Sequence, residues 1–280
     1  MISDASLWRF GCREYDLSKR PLVMGILNLT PDSFSDGSRY GSCEAAVDAA
    51  LQMVEDGADF IDIGGESTRP GAPHVSALEE LNRVMPVIER LAGQLPVPLS
   101  IDTWKSEVAS AALSAGVEIV NDISAMSFDQ QMKPLLAGSE AGIVLMHTRG
   151  RPEAMQSNTT YADLVAEVSD FLESAVESAA GAGISRERIL LDPGIGFGKS
   201  VEGNLEIIRR LKEFDRLGRP ILVGTSRKSF IGKVLCREVG ERLFGSNASI
   251  AVAMMNGASV FRVHDVRAAR DTVDMVKALS

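Results

Sequence analysis

Short runs of apolar residues recur along the whole chain, and each run ends in polar residues. Their brevity and their content of β-branched residues predict strands rather than helices. We count eight of them, and each predicts a buried strand that opens into a polar loop. In chain order they are PLVMGILN (21–28), DFIDIGGEST (59–68), PVPLSID (96–102), VEIVND (117–122), GIVLMH (142–147), RILLDP (188–193), PILVGTSRK (220–228) and SVFRVHD (259–265).

Amphipathic stretches with helical spacing of their apolar residues separate the predicted strands. Three examples are CEAAVDAALQMVEDGA (43–58), ALEELNRVMPVIERLAG (77–93) and DLVAEVSDFLESAVESAAGAG (163–183). Ser76 stands just before the second of these and is a residue type that caps helices. This alternation of strands and helices predicts a parallel sheet covered by helices.

Eight strand–helix units in 280 residues predict an α/β fold, a closed (β/α)8 TIM barrel forming a single domain. A doubly wound open sheet is the rival architecture, but no change of composition marks a second domain. We assign residues 21–280 to the barrel. Residues 1–20 precede the first predicted strand, and we expect them to form a short N-terminal cap segment, such as a hairpin under the barrel.

The polar residues at the predicted strand ends are candidate site residues. In a (β/α)8 barrel the carboxyl ends of the strands form one rim, where active sites lie. Asp102, Asn121, Asp192 and His264 would share that rim. Two carboxylates and an amide at the barrel mouth indicate a ligand rich in N–H donors, such as a heterocycle with an amino-amidine edge. The alternative is that each residue only caps the helix that follows it.

Cationic and switchable groups follow the seventh and eighth predicted strands. Arg227 and Lys228 come after one, and Arg262 and His264 lie at the end of the other. The loops at these two positions commonly bind phosphate in this fold, which predicts an anion site. Ordinary surface charge is the alternative, above all for Arg227, because adjacent residues point in different directions.

The segment DPGIGFGKS (192–200) invites a nucleotide-binding interpretation, which its spacing excludes. A P-loop has four residues between its first glycine and its Gly-Lys pair. Here only three residues separate Gly194 from Gly198, and Pro193 stands where the first glycine should be. We expect these glycines instead to let the backbone pass close under a flat ligand.

Two further loops rich in Gly, Pro, Ser and Asp follow the first two strands, and we expect residues 29–40 and 66–76 to close over the site. Asn28, at the end of the first strand, offers a neutral oxygen. Such a ligand suits Mg²⁺ that is bridged to a diphosphate rather than held in a cage of protein side chains.

Composition excludes several classes of partner. The net charge is −9 and no basic run is present, which argues against nucleic-acid binding and against a polybasic membrane anchor. No segment has the length of apolar sequence that a membrane-spanning helix needs. Cys12, Cys43 and Cys236 form no CxxC pair, and the N-terminus has no signal-peptide pattern, so we expect a cytoplasmic protein.

Taken together, these segments closely resemble the dihydropteroate synthase family over nearly the whole chain after Pro21. Any one segment is modest evidence, but the combination is highly specific. The segments that carry the resemblance are MGILNLTPDSFSDG (24–37), DIGGESTRPGA (62–72), SIDT (100–103), NDIS (121–124), MHTRGRPEAMQ (146–156), LDPGIGFGK (191–199), SRKSF (226–230) and RVHDV (262–266).

The resemblance implies an enzyme that condenses 6-hydroxymethyl-7,8-dihydropterin diphosphate with 4-aminobenzoate, releasing diphosphate and 7,8-dihydropteroate for folate biosynthesis. It also implies Mg²⁺, a homodimer, and an aminobenzoate pocket where sulfonamide drugs compete. The implied catalytic residues are Asp102, Lys228, Arg262 and His264. By the same resemblance Asp102, Asn121 and Asp192 hold the pterin, and Lys228 lies between the two substrates. Arg262 and His264 bind diphosphate, and Asn28 contacts Mg²⁺. The aminobenzoate end is shaped by Thr68, Arg69 and Ser229.

Two other functions remain to be weighed. A pterin-binding methyltransferase module would need the carboxylates but not the cations, so Lys228, Arg262 and His264 argue against it. A metal-dependent barrel hydrolase typically needs a His-x-His pair after the first strand, where this chain has Asn-Leu-Thr (28–30).

Overall fold

The computed structural model describes residues 6–30, 43–69 and 71–280. Eight parallel strands close into a barrel in the order β10-β3-β4-β5-β6-β7-β8-β9, with β9 paired to β10, which confirms the (β/α)8 fold and rules out the open sheet. The strands of this barrel are β3 (Leu22–Asn28), β4 (Phe60–Gly64), β5 (Leu99–Asp102), β6 (Ile119–Asp122), β7 (Gly142–Met146), β8 (Ile189–Asp192), β9 (Ile221–Val223) and β10 (Ala258–Val263).

Helices pack around the outside of the barrel. Most barrel strands are buried on both faces because one face lines the interior and the other meets these helices. The helices are α1 (Cys43–Glu55), α2 (Ala77–Leu91), α3 (Ser106–Ser114), α4 (Met132–Ala137), α5 (Leu164–Gly181), α6 (Val201–Arg209), α7 (Ser229–Leu235), α8 (Leu243–Met255) and α9 (Val266–Leu279). Shorter 3₁₀ turns span Met155–Ser157, Arg186–Arg188, Leu211–Leu217 and Val239–Glu241.

The helix caps agree with the sequence pattern. Ser76 accepts a hydrogen bond from the Glu79 amide at 3.2 Å, as predicted for the start of α2. Among the described residues no helix is both long and apolar enough to cross a membrane.

Strand ends lie close to their predicted positions. Asn28, Asp102 and Asp192 are the last residues of their strands. In the seventh run β9 stops at Val223, and Arg227 and Lys228 follow it in the loop. Residues 225–228 form a turn, in which the Lys228 amide donates to the Thr225 carbonyl at 3.2 Å.

An N-terminal hairpin seals the amino ends of the barrel strands. It pairs β1 (Leu7–Phe10) with β2 (Arg13–Asp16) in antiparallel register. Trp8 is fully buried, packs against Phe10 and Phe60, and donates from its indole N–H to the Arg188 carbonyl at 2.9 Å. A Cβ on Gly142 would lie 2.9 Å from both hairpin rings, so only glycine lets them approach the start of β7. The end opposite the strand carboxyl termini is therefore closed.

Candidate active site at the carboxyl ends of the strands

Four polar side chains from four strands meet inside the barrel mouth. Arg262 of β10 donates from Nε to Asp62 Oδ2 and from Nη2 to Asp102 Oδ2, each at 2.6 Å. Asn121 of β6 donates to the same Asp62 oxygen at 3.0 Å. Asp102 and Asn121 are register partners on adjacent strands. The structure thus brings together the predicted residues Asp102, Asn121 and Arg262, and adds Asp62.

The second oxygens of the two carboxylates have no partner. Asp62 Oδ1 and Asp102 Oδ1 are both buried and accept no hydrogen bond from the described residues. The pKa of Asp102 is raised to about 7, mainly by burial; Arg262 acts in the opposite direction, and the Asp62 carboxylate contributes to the rise. Buried acceptors without donors are unfavourable. A ligand that supplies N–H groups to these two oxygens would remove that cost.

Asp62 is the residue that sequence reasoning missed. It lies inside β4 rather than at its end, and it is fully buried. The rule applied to the sequence considered only the polar residues that terminate an apolar run. A carboxylate between Ile61 and Ile63 was nevertheless a usable signal, because alternate residues of a barrel strand face the interior.

Asp192 of β8 lies beside the glycine loop of residues 193–198. Its Oδ1 accepts from the Gly194 amide at 2.7 Å. Burial raises the pKa of Asp192, while this hydrogen bond and the charges of Lys228 and Lys199 lower it. Gly194 has φ +71°, and a Cβ there would lie 1.9 Å from the His147 carbonyl oxygen. Glycine is therefore required for the loop to pass this close to β7.

Lys228 approaches the same loop from the opposite side. Its ammonium contacts the Ile195 carbonyl and lies 4.3 Å from the centre of the Phe197 ring. Burial lowers the pKa of Lys228 to about 8, and the carboxylates of Asp192 and Asp102 counteract that shift. Lys228 thus stands within the electrostatic reach of both acidic residues. Phe197, which the sequence did not single out, supplies an aromatic face to this part of the mouth.

The other predicted anion ligands are arranged differently. Arg227 is turned away, forming a bidentate ion pair with Asp265, and its φ of 57° lies in the left-handed region. His264 places Nδ1 at 3.0 Å from Ser226 Oγ. Burial and the positive charge of Arg262 lower the pKa of His264 to about 3, so its ring is neutral at neutral pH.

Three further predicted residues lie in segments that follow β4 and β9. Thr68 is half-buried and Arg69 exposed in the segment after β4, and Ser229 is exposed at the first position of α7. Arg69 lies near enough to contribute to the lowered pKa of His264. Residues 31–42 and Pro70 lie outside the described part of the chain. Most of the 29–40 loop, which was predicted to close over the site, therefore lies outside it as well.

Asn28, the predicted Mg²⁺ ligand, lies at the end of β3 near Asp102. A Cβ on Gly64 would lie 3.6 Å from both Asn28 Oδ1 and Asp102 Oδ2, so these oxygens flank the same glycine. Within residues 6–30, 43–69 and 71–280, no group of three or more His, Cys, Asp or Glu side chains could hold a metal ion. Asn28 therefore offers a single neutral oxygen beside a carboxylate.

His147 has a structural partner rather than a ligand-facing position. Its Nδ1 lies 2.9 Å from the ammonium nitrogen of Lys199. Burial and the charge of Lys199 lower the pKa of His147, so the neutral ring accepts a hydrogen bond from the lysine. Its ring also meets Phe171 edge to face at 4.9 Å.

The arrangement agrees with known proteins. Residues 24–264 match the family model described as pterin binding enzyme. Dihydropteroate synthase of Synechocystis sp. is 48% identical over 95% of this chain and 92% of its own length, and that of Escherichia coli is 46% identical over 94% and 93%.

Solved structures agree as well. A Yersinia pestis dihydropteroate synthase in a sulfonamide drug complex superposes with a TM-score of 0.93 at 41% identity, covering 98% of both chains. A Xanthomonas albilineans dihydropteroate synthase in complex with 7,8-dihydropteroate has a TM-score of 0.85 at 40% identity, again covering 98% of both. The chain belongs to the dihydropteroate synthase family of pterin-binding enzymes.

Proposed function

We propose that the protein joins 4-aminobenzoate to 6-hydroxymethyl-7,8-dihydropterin diphosphate and releases diphosphate and 7,8-dihydropteroate. The observation that carries this proposal is the pair of buried oxygens on Asp62 and Asp102 that have no partner in the described part of the chain, beside the cations Lys228 and Arg262. One part of the mouth accepts N–H groups and the adjoining part attracts a phosphate. A pterin diphosphate combines both chemistries in one molecule.

The acidic part of the mouth would hold the pterin ring. A pterin presents a 2-amino group and ring N–H groups, which pair well with carboxylate oxygens. Asp102, Asn121 and Asp192 are our proposed partners, and Asp62 joins them because its Oδ1 is free to accept. The glycine loop and Phe197 offer a surface close to Lys228 on which a flat ring could lie.

The cationic part would bind the leaving group. Arg262 and Lys228 supply positive charge for diphosphate. Ser226 Oγ accepts from the His264 amide at 3.2 Å, so its own hydrogen can be donated to Nδ1 of the neutral ring. The single N–H proton of the neutral His264 ring then lies on Nε2 and can be donated to a phosphate oxygen.

The family resemblance also implies Mg²⁺, and the residues present fit an ion that takes most of its ligands from substrate and water. Asn28 would be its protein ligand. When bound, Mg²⁺ would neutralise part of the diphosphate charge. A lone protein oxygen fits this arrangement and would not by itself fix an ion in the absence of diphosphate.

The bond changes are those of a dissociative displacement. The bond between the pterin methylene carbon and the diphosphate oxygen breaks, and its electron pair leaves with diphosphate. The dihydropterin ring delocalises the positive charge, which the carboxylates of Asp102 and Asp192 stabilise. The lone pair of the aminobenzoate nitrogen then forms the C–N bond, and that nitrogen releases a proton to water. No nucleophilic side chain is needed because the amine is already unprotonated at neutral pH.

A direct assay tests this function. The protein, Mg²⁺, the pterin diphosphate and 4-aminobenzoate should together yield dihydropteroate. Titration calorimetry with inorganic diphosphate should show binding that weakens in the Lys228→Met variant and persists in Arg216→Met, a control that removes a cation paired with Asp170 on the surface. Absence of product, together with absence of diphosphate binding, would contradict the proposal and favour a methyltransferase module.

We also propose that the protein is a cytoplasmic homodimer. The support for a dimer is a group of exposed apolar residues on α7, α8 and the segment between them, including Phe244, which is 84% exposed, and Met255, which is 75% exposed. Cys12, Cys43 and Cys236 are free, as expected in a reducing compartment. Light scattering of the wild type and of Phe244→Glu tests the dimer: the variant should be monomeric, and a monomeric wild type would contradict it.

A further inference from the structure

We propose that Lys199 is a positioning residue for the reaction: its ammonium fixes the glycine loop, residues 193–198, in the shape that places Asp192 and Lys228. The inference builds on the proposed function, because it assigns a role in that same site. Lys199 is the residue that follows the loop, and it faces inward and contacts the loop carbonyls and His147.

The ammonium of Lys199 has three partners, which match its three hydrogens. It donates to the Gly194 carbonyl at 2.9 Å, to the Phe197 carbonyl at 3.0 Å and to His147 Nδ1 at 2.9 Å. Lys199 is only 3% exposed. A buried cation held by two carbonyls and a neutral ring, with no carboxylate in hydrogen-bond contact among the described residues, is costly, so its presence points to a role in holding these partners in place.

The two carbonyls that Lys199 binds lie at the ends of the segment that touches the site. At one end, the Gly194 amide donates to Asp192 Oδ1 at 2.7 Å. In the middle, the Ile195 carbonyl accepts from Lys228. At the other end, the Phe197 ring lies 4.3 Å from the Lys228 ammonium. A shift of the loop would therefore displace partners of both site residues at once.

Other contacts hold the loop without involving the Gly194 amide, the Ile195 carbonyl or the Phe197 ring. The Gly196 amide donates to Asn204 Oδ1 at 2.6 Å, and its carbonyl accepts from Gln156 at 2.8 Å. The Gly198 carbonyl accepts from the Tyr161 hydroxyl at 2.9 Å. The Phe197 amide also donates to the Gly194 carbonyl at 3.1 Å, so these two residues stay joined. With Lys199 replaced, the loop should stay attached at these points, while the Gly194 and Phe197 carbonyls lose the ammonium that ties them to His147. The protein should consequently fold, and its site should be misaligned.

The charges around Lys199 come from several elements. Asp192 of β8 faces it and favours its charged form, whereas Lys228 before α7 and Arg149 after β7 disfavour that form. The neutral His147 adds no charge. Burial is the largest influence and lowers the pKa of Lys199 to about 7. The hydrogen bonds to Gly194 and Phe197 survive loss of one proton only in part, because a neutral amine has two hydrogens to donate.

The experiment replaces Lys199 by methionine, which keeps the length of the side chain and removes its donors. We expect kcat to fall at least tenfold, because the site is misaligned in the transition state. Arg188→Met is the matched control. Arg188 is also a buried cation that donates to backbone carbonyls, those of Ala141 and Leu136, but it lies at the closed end of the barrel. In that variant kcat per folded molecule should stay within twofold of wild type.

Amide hydrogen exchange gives a readout that does not depend on the reaction. In Lys199→Met the peptide that contains residues 193–198 should exchange at least tenfold faster, and in Arg188→Met this peptide should exchange as in wild type. Unchanged exchange, or a fall in kcat that matches the loss of folded protein, would overturn the role of Lys199. Wild-type protein that forms no dihydropteroate would instead overturn the proposed function and leave the exchange result to decide the positioning role.

A second variant keeps the test open if Lys199→Met does not fold. His147→Leu removes one of the three partners of the ammonium and leaves both loop carbonyls bound. We expect kcat to fall threefold or more, with loop exchange raised in parallel. Wild-type values of both quantities in a folded His147→Leu protein would count against the proposal.

Discussion

The two ends of the barrel each contain a buried arginine, and the two arginines are used in opposite ways. At the closed end, Arg188 donates to the carbonyls of Ala141 and Leu136, and its own carbonyl accepts from Trp8. At the open end, Arg262 binds two carboxylates, Asp62 and Asp102, each of which has a buried oxygen without a partner among the described residues. The arginine at the closed end is bound by backbone carbonyls of the protein, whereas the carboxylates at the open end keep oxygens available for a ligand.

This difference separates stability from function. The closed end gains free energy from aromatic burial and from the hydrogen bonds of Trp8 and Arg188, whereas the mouth holds charged groups in an arrangement that a ligand can complete. Variants at the closed end should therefore change the free energy of unfolding, and variants at the mouth should change turnover. Each of the following experiments tests that separation.

The largest effect is expected at the hairpin. Trp8→Ala removes a fully buried ring that packs against Phe10 and Phe60, and should lower the free energy of unfolding by about 3–5 kcal/mol. Denaturant unfolding measures the loss, and kcat per folded molecule should not change. Trp8→Phe, which keeps an aromatic ring, should lose less. A large fall in kcat with an unchanged free energy of unfolding would contradict the assignment of stability to the closed end and of turnover to the mouth.

The next largest effect is expected at Asp62. Asp62→Asn keeps the shape of the side chain but removes the charge that faces Arg262, and kcat/KM should fall roughly 10- to 100-fold. Asp59→Asn is the matched control, because Asp59 immediately precedes the same strand and pairs with Arg20 and Arg270 at the closed end. It should lower stability with kcat/KM near the wild-type value. Equal kinetic losses in both variants would contradict the separation.

An intermediate effect is expected from pH. The pKa of Asp102 is raised to about 7 in the folded protein, above its ordinary 3.8. The folded protein therefore binds one proton more than the unfolded chain between these values. The resulting stability is fully present below pH 3.8 and is lost as pH rises through 7, with a slope of at most about 1.4 kcal/mol per pH unit.

Asp102→Asn should remove this contribution, so the difference in unfolding free energy between wild type and variant should change steadily from pH 5 to pH 7. Binding of a pterin should show the opposite trend in the wild type, strengthening as the carboxyl ionises. Parallel pH curves for the two proteins would show that Asp102 does not titrate in this range.

The smallest effect is expected at an ion pair beside the hairpin. Arg13 binds Glu118 at 2.6 Å, but both side chains are about a third exposed. Glu118→Gln should lower the free energy of unfolding by less than about 1 kcal/mol, because water screens such pairs. Thermal unfolding measures it. A loss as large as that of Trp8→Ala would mean that charge, rather than aromatic burial, stabilises the closed end.

Much of this architecture was readable from the sequence because each apolar run ends in a recognisable polar residue. Asp102, Asn121 and Asp192 follow that rule, and closure of the barrel then brings them to one mouth. Asp62 escapes the rule because it lies within a strand. Lys199 escapes it for another reason: its partners come from two different strands and a loop, so its role depends on packing that no local pattern records.

The directions of neighbouring side chains were a second property that the sequence could not predict. Arg227 and Lys228 are neighbours in an unbroken basic pair, yet the turn after β9 directs Arg227 to Asp265 and Lys228 to the glycine loop. A left-handed backbone at Arg227 separates them. Neither residue type predicts this conformation, so the sequence could favour Lys228 over Arg227 for the anion site without showing where either side chain goes.

The hairpin also has a consequence for biosynthesis. Two aromatic residues of the hairpin, Trp8 and Phe10, pack against Gly142 and Arg188, which are made much later. Trp8 and Phe10 must therefore remain without these two contacts while the intervening residues are synthesised, and nascent chains that stop before β8 should recruit chaperones through this incompletely covered aromatic pair.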